Sequence, residues 1–235
     1  VAETARWLAL WMAFEDVIRV AGLKCRPERM LRVRREAGAR EGELVRVYDH
    51  FKPGIPELAG LLPESLAARL LAWDRRRVMK GLTPWSMPLR IATHSPSGWL
   101  ALRLLSLMRY ARPLGSRYRA EQRAIEQWLD AVIAATREDA RLGLELARCG
   151  RLIKGYGSTN ERGKRNLAHL LEHVARPGLP IDERRQAIER VREAALQDEA
   201  GRALDQALKD SGAPARPVEA RPVLWMKNPR SISRV

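Results

Sequence analysis

The sequence predicts a mainly α fold: a multi-helix domain of antiparallel helical hairpins, to which one small two-stranded β ribbon could be added. Three observations predict it. Apolar side chains recur every three or four residues through most of the 235-residue chain, which gives each segment one apolar helical face. Prolines precede several of these segments and glycines follow them, as at helix starts and ends. Only two short segments are rich in strand-forming residues.

The amino-terminal part of the chain predicts two helices. One core helix is expected over residues 2–21, and a second runs from Pro27 to about Glu36, because proline suits a first helical turn. Four large apolar residues share one face of the first helix, at spacings of four, three and four: Trp7, Trp11, Phe14 and Ile18.

The next segments combine the two strand-like stretches with helices. Residues 44–51 and 87–93 could pair as a small ribbon, in which Pro88 would lie at an edge or at a strand start. After a short apolar helix through residues 58–62, longer helices are predicted from Pro63 to Gly81 and from about Ser97 to Arg109. The last of these is expected to bury a face formed by Leu100, Leu104, Leu107 and Met108.

The clearest amphipathic pair lies in the middle of the chain. Ser116 can cap a long helix, and a second helix follows it closely, so the two are expected to pack as an antiparallel hairpin. The apolar stripe of the first helix comprises Ile125, Trp128, Leu129, Val132 and Ile133. The stripe of the second comprises Leu142, Leu146, Cys149 and Ile153.

The carboxy-terminal part predicts a charged helix and an extended tail. The helix is expected from Asp182 to about Asp210, with Gly201 as its weak point. Its sparse inner residues are Ile188, Val191, Leu204 and Leu208. Residues 1–210 thus form one helical domain, and residues 211–235 form a tail rich in proline and arginine that Val223, Leu224 and Trp225 could anchor.

The corner after the hairpin is the most informative stretch of the sequence. Gly155 and Gly157 interrupt the helical pattern, and glycine ends a helix readily because it tolerates a positive φ. Ser158 and Glu161 have the spacing of a capping box, so a new helix is predicted to begin at Ser158.

Two interpretations of this corner are open. It could be an ordinary helix-loop-helix connection, or its free amides and basic side chains, Lys164 and Arg165 among them, could converge as an anion site. The spacing is not that of a P-loop. The candidate ligand-binding residues are Lys154, Gly155, Tyr156, Gly157, Ser158, Thr159, Arg162 and Gly163.

Two histidines in the next helix match a metal-binding motif by spacing. His169 and His173 frame Glu172 as in the H-x-x-E-H motif of inverted zinc peptidases. Helical geometry places both on the outer face with Arg162, where basic neighbours would repel a cation. The sequence therefore predicts no metal site there.

Charge and composition exclude several classes of protein. The net charge of +15 attracts polyanions, but it is spread over the helices without a nucleic-acid-binding signature. An acidic partner subunit fits this pattern better than nucleic acid. Cys25 and Cys149 are too few for a disulfide framework. No segment resembles a signal peptide or a membrane span, so we expect a cytoplasmic protein that does not enter a membrane.

Three motifs carry a resemblance to a known family. They are M-A-F-E-D-V-I-R-V-A at residues 12–21, F-K-P-G-I-P-E-L at 51–58 and K-G-Y-G-S-T-N-E-R-G-K-R-N at 154–166. Their order and spacing resemble the carboxy-terminal helical region of indolepyruvate ferredoxin oxidoreductases, specifically the beta-subunit-like members, a domain of unknown function. With Val1 in place of a methionine, the resemblance predicts a piece of a longer polypeptide.

The resemblance implies an enzyme that oxidatively decarboxylates aryl 2-oxo acids such as indolepyruvate to the acyl-CoA. Thiamine diphosphate and iron–sulfur clusters would lie elsewhere in the complex, since two cysteines cannot supply the four ligands of a tetrairon cluster. We therefore expect no catalytic residue and no cofactor in this fragment. The predicted role is a non-catalytic accessory or assembly domain whose partners are other domains or subunits of the oxidoreductase. The alternatives are a helical domain that binds phosphate or coenzyme A, and a basic domain that binds nucleic acid nonspecifically.

Overall fold

The fold is mainly α, as the sequence predicts. The structure, a computed structural model, describes residues 1–13, 17–155, 157–197 and 201–217. Within these residues, eleven α-helices and one two-stranded antiparallel sheet make up the regular structure, with three short 3-10 turns. No helix in this part of the chain is both long enough and apolar enough to cross a bilayer.

The elements follow the chain in a simple order. The amino-terminal elements are α1 (Ala2–Met12), α2 (Val17–Lys24), α3 (Pro27–Glu36), β1 (Tyr48–Phe51), α4 (Ile55–Leu61), α5 (Glu64–Met79), β2 (Leu89–Ala92) and α6 (Pro96–Leu107). The carboxy-terminal elements are α7 (Ser116–Glu138), α8 (Ala140–Cys149), α9 (Gly157–His173), α10 (Ile181–Gln197) and α11 (Arg202–Asp210).

The predicted hairpin is confirmed and forms the centre of the core. α7 and α8 pack against each other, and Asp139 between them caps α8 by accepting hydrogen bonds from the amides of Arg141 and Leu142. Trp128 is completely buried, and its indole Nε1 donates to the carbonyl of Leu146 across the pair at 2.8 Å. Cys149 is buried with them. Around this pair, buried side chains of α1, α9, α10 and α11 complete one apolar cluster.

Two details of the hairpin differ from prediction. Ser116 is the first residue of α7 and not its cap: Gly115 precedes the helix, and the Ser116 hydroxyl donates to the carbonyl of Ala59 at 3.0 Å. Ile133 is about half exposed, because the face of α7 that meets α8 and α1 carries Val132 and Ala135.

The predicted ribbon is also confirmed, over shorter strands. β1 pairs antiparallel with β2, with Tyr48 opposite Ala92 and Phe51 opposite Leu89. Pro88 directly precedes β2, at the strand start where a missing amide donor costs least.

Two helices predicted as continuous are each divided in two. The segment 2–21 forms α1 and α2, with Phe14 outside the described residues. The periodicity continues across the break because both helices are amphipathic, yet α1 packs on α8 whereas α2 packs on α6. The segment 182–210 forms α10 and α11, since Gly201 adopts a left-handed conformation (φ 82°) ahead of α11.

The predicted buried face of α6 is wrong. Leu100, Leu104, Leu107 and Met108 are exposed, and α6 instead buries the side that carries Leu102 and Ser106. Its sequence is apolar around most of its circumference, so periodicity does not select a face. The packing partner selects it: α6 packs on α2, and Ser106 lies opposite Gly22, where an added Cβ would be in ordinary contact at 3.6 Å.

The first part of the predicted tail packs on the domain. Ala213 is buried, and the Arg216 guanidinium donates to Asp205 Oδ1 and to the carbonyl of Gly201. The side-chain hydrogen bond from Arg216 to Asp205 and the positive charge of Arg216 both lower the pKa of Asp205. The predicted anchor at residues 223–225 lies outside the described residues.

A buried carboxylate joins the ribbon to the amino-terminal helices. Asp49 of β1 accepts a hydrogen bond from Lys24 Nζ, and Arg29 Nη2 lies 2.9 Å from the same oxygen. Burial alone would raise the pKa of Asp49, but the hydrogen bond and charge of Lys24, with the charge of Arg29, leave it below its ordinary value. The ionised carboxylate therefore stabilises the folded state.

Replacing Asp49 with Asn should lower the free energy of unfolding at neutral pH by about 1–3 kcal/mol, because two cations would then face a neutral amide. The contribution of the carboxylate is complete above its unfolded pKa, about 4, and is lost as pH falls through its lower folded pKa. Urea unfolding of both proteins at neutral and acidic pH measures the difference. An equal deficit at both pH values would contradict this origin.

Candidate functional site: the glycine corner and its cavity

The predicted corner is present between α8 and α9. After α8, a 3-10 turn (Gly150–Leu152) leads to Gly155 (φ 72°) and Gly157 (φ 52°), and both glycines have the left-handed conformation that the sequence predicts. α9 begins at Gly157, so Ser158 lies inside its first turn instead of capping it. Tyr156 and the side chain of Ser158 are outside the described residues.

A cavity of about 610 Å³ opens beside the corner. Distant parts of the chain form its wall: α1, α2, the end of β1, α4, α7 and the start of α9. Its described lining residues are Leu10, Trp11, Val17, Val20, Phe51, Lys52, Pro53, Glu57, Arg117, Glu121, Ile153, Lys154, Gly155, Gly157 and Asn160. The volume lies within the range of small-molecule sites, about 300–1,000 Å³.

The cavity includes only some of the predicted site residues. Lys154, Gly155 and Gly157 line it, whereas Thr159 and Arg162 are not among its described lining residues. Sequence reasoning missed the contributions of Lys52 and Glu121. The F-K-P-G-I-P-E-L motif contains Lys52 and was a usable signal, but nothing local marks Glu121 as part of a site.

Gly163, another predicted site residue, has a packing role. A Cβ at this position would lie 2.1 Å from the carbonyl oxygen of Leu152, too close for any side chain. Glycine therefore lets α9 rest directly on the 3-10 turn, which fixes the corner against the hairpin.

The carboxylate of Glu121 lies in the cavity wall and is surrounded by hydrogen-bond donors and cationic side chains. Glu121 is buried in α7, and it accepts hydrogen bonds from Trp11 Nε1 at 2.8 Å and from Lys164 Nζ. Arg117 Nε lies 3.9 Å from Glu121, and Lys164 also pairs with Glu161 at 2.9 Å. The predicted convergence of Lys164 on an anion site is therefore wrong, because this ammonium group is already paired with two carboxylates.

Three other polar side chains of the wall have no such partner: those of Lys52, Lys154 and Asn160. Within the described chain, neither Lys52 nor Lys154 makes an ion pair or a hydrogen bond through its side chain. Asn160 Oδ1 is shielded from solvent and accepts no hydrogen bond. A buried acceptor without a donor costs free energy.

The histidine pair lies away from the cavity. The rings of His169 and His173 are 4.4 Å apart, and His169 Nε2 donates to the carbonyl of Pro214 at 2.8 Å. Among the described residues, no group of three or more His, Cys, Asp and Glu side chains is arranged to hold a metal ion. His169 instead helps to fasten residues 211–217 to α9.

Comparison with models of protein families finds one that matches most of the chain. Residues 1–173 match a family model described as a family of unknown function (DUF6537). This chain belongs to the DUF6537 family. No curated protein and no solved structure matches it. Every described residue of the cavity wall, from Leu10 to Asn160, falls within the DUF6537 match, whereas α10 and α11 follow it.

Replacing Gly163 with Ala should lower the free energy of unfolding by about 1–3 kcal/mol, because the methyl group would push α9 away from the Leu152 carbonyl. Gly22→Ala is the matched control in another helix of this DUF6537 domain, since its Cβ would meet Ser106 Cβ at an ordinary 3.6 Å. The control should be neutral or slightly stabilising. Chemical denaturation measures both, and equal effects would rule out the close approach as the reason for glycine.

Proposed function

We propose that this chain is a non-catalytic docking domain of a cytoplasmic indolepyruvate-type ferredoxin oxidoreductase. The resemblance of its three motifs supports the enzyme class, and the exposed apolar surface of α6 supports the docking role. Thiamine diphosphate and the iron–sulfur clusters would be held by other domains or subunits of that complex.

The single observation that carries the docking role is the α6 face, defined as Trp99, Leu100, Leu104, Leu107 and Met108. These five side chains are 40–58% exposed and lie within ten consecutive residues. Isolated apolar residues on a surface are ordinary, whereas several exposed apolar side chains along one helix are typical of an interaction site. Tyr110 and Leu114 extend the exposed apolar surface beyond the helix.

Charges beside the α6 face indicate the chemistry of the partner. A groove of about 430 Å³ between α2 and α6 is lined by Arg19, Arg26, Arg103, Arg109 and Arg112, with no acid among its described lining residues. In the described part of the chain, Arg26, Arg103 and Arg109 form no ion pair with a carboxylate. An acidic protein surface with an apolar centre would complement both the groove and the face.

The two cysteines fit a role without redox chemistry. Cys149 is completely buried, and burial raises the pKa of its thiol to about 12, so it stays protonated at neutral pH. Burial likewise raises the pKa of the Cys25 thiol, although Arg103 and Arg29 partly oppose the shift. Neither thiol is a reactive thiolate.

Replacing Leu104 and Leu107 with Lys in the full-length subunit should weaken its assembly at least about tenfold, because two charges would be buried at the contact. Pull-down of the partner subunits, after nuclease treatment to remove bridging nucleic acid, measures assembly. Ferredoxin reduction with an aryl pyruvate measures activity.

Leu31→Lys on α3 is the matched control, since Leu31 is exposed but lies outside the α6 face. The double variant should keep the wild-type melting temperature because its side chains are exposed in the isolated domain. Full assembly and activity of the double variant would refute docking through α6. Loss of assembly on nuclease treatment alone would favour the nucleic-acid hypothesis.

The corner cavity favours a second candidate, a domain that binds a phosphate-bearing ligand such as coenzyme A. Gly155 and Gly157 bring backbone amides to the cavity beside Lys154, as in anion sites at helix starts. Coenzyme A should then raise the melting temperature in a dose-dependent way, and Lys154→Gln should reduce the shift. An unchanged melting temperature at millimolar coenzyme A would refute this candidate.

A further inference from the structure

We propose that the arginine-lined groove between α2 and α6 binds a small molecule that carries two phosphate groups, one at each end of a short organic body. The groove is the one that lies beside the α6 face. The proposal goes beyond docking and does not depend on it, because a small ligand needs no partner subunit to bind.

Positive charge without a matching negative charge is the main feature of the groove. Five arginines line its volume of about 430 Å³, and none of its described lining residues is acidic. Within the described chain, Arg26, Arg103 and Arg109 form no ion pair with a carboxylate. Arg109 donates one hydrogen bond, to the hydroxyl of Tyr110, which uses one of the five N–H donors of its guanidinium group. Like charges that share one groove repel each other, so a bound anion would lower the free energy of this arrangement.

The arginines lie in two groups along the groove. α2 and α6 run in opposite directions, because Cys25 Sγ lies 3.9 Å from the carbonyl oxygen of Trp99 whereas Gly22 lies against Ser106. One end therefore carries Arg26 and Arg103, and the other carries Arg19, Arg109 and Arg112. At a helical rise of 1.5 Å per residue, the two ends are about 10 Å apart along α2. A single small anion would reach only one of the two groups.

The guanidinium groups favour phosphate over carboxylate. A phosphate monoester carries close to two negative charges at neutral pH on three terminal oxygens, so it can accept hydrogen bonds from more than one guanidinium group. A carboxylate offers one charge and two oxygens. Between the two groups of arginines, the groove is lined by Gly22, Leu23 and Ser106, which leaves an uncharged stretch for the organic body of the ligand.

The test compares fructose 1,6-bisphosphate, with phosphates at both ends of a short sugar, and fructose 6-phosphate, which has one. Isothermal titration calorimetry in a low-salt buffer measures affinity, since added salt screens exposed charges. The bisphosphate should bind at least about tenfold more tightly than the monophosphate. It should also slow the alkylation of Cys25 by iodoacetamide, because Cys25 lines the groove. Cys149 is completely buried and does not interfere.

The double variant Arg26→Gln/Arg103→Gln removes one of the two groups of arginines. It should lower the affinity for the bisphosphate about tenfold, to that of the monophosphate, and it should abolish the protection of Cys25. The matched control is Arg75→Gln/Arg76→Gln on α5, which removes the same charge outside the groove and should retain wild-type binding. Equal losses in the two variants would mean attraction to net charge alone and would overturn the proposal.

Three further results would also overturn it. One is equal affinity for the bisphosphate and the monophosphate, and another is equal or tighter binding of citrate, whose charges are all carboxylates. The third is tighter binding of a short single-stranded oligonucleotide of the same charge, which would favour the nucleic-acid hypothesis. If the bisphosphate does not bind at millimolar concentration, the phosphate site is refuted, while the assembly assay still decides the docking role.

Discussion

The buried carboxylate of Glu121 is the constraint on which the arrangement of the cavity depends. It lies on α7 and receives a hydrogen bond from Trp11 of α1 and another from Lys164 of α9. Three helices that are far apart in sequence therefore meet at one charged group. A carboxylate buried without such donors would cost several kcal/mol, so the positions of α1 and α9 are coupled through the hydrogen bonds that they donate to Glu121. Trp11 also lines the cavity.

Two glycines allow neighbouring elements around the corner to pack more closely than any other residue would. Gly163 lets α9 lie against the carbonyl of Leu152, and Gly150 leaves room for Trp7 and Trp128, whose atoms would come within 2.8 Å of an added Cβ. Neither glycine has a positive φ. Sequence reasoning predicts a positive φ at Gly155 and Gly157, and this is correct. At Gly150 and Gly163 the requirement comes from neighbours that the local sequence does not reveal.

Sequence patterns within a few residues of each other predicted the elements whose formation depends on local interactions. The α7–α8 hairpin, the helix Pro27–Glu36, the ribbon and the corner follow from apolar period, proline position and glycine, and each is present. The break before α2 was missed because the two neighbouring helices kept compatible apolar periods across it, whereas Gly201, predicted as the weak point of the charged helix, directly precedes α11. The face of α6 was missed for a different reason: on a helix that is apolar nearly all round, the packing partner decides which side is buried. Partners of Glu121 lie 110 and 43 residues away, beyond any local pattern.

The two proposed surfaces are connected through a single helix. Val17 and Val20 of α2 line the corner cavity, while Gly22 of the same helix lies against Ser106 of α6. α2 is only eight residues long, so a displacement at its cavity side would reach its contact with α6 within about 12 Å of helix. A ligand could influence docking by this route only if it bound two positions of α2 with different affinity. Ligand binding in the corner cavity and docking through the α6 face can thus be measured separately on one domain. A change in ligand affinity on assembly would indicate that α2 couples the two surfaces.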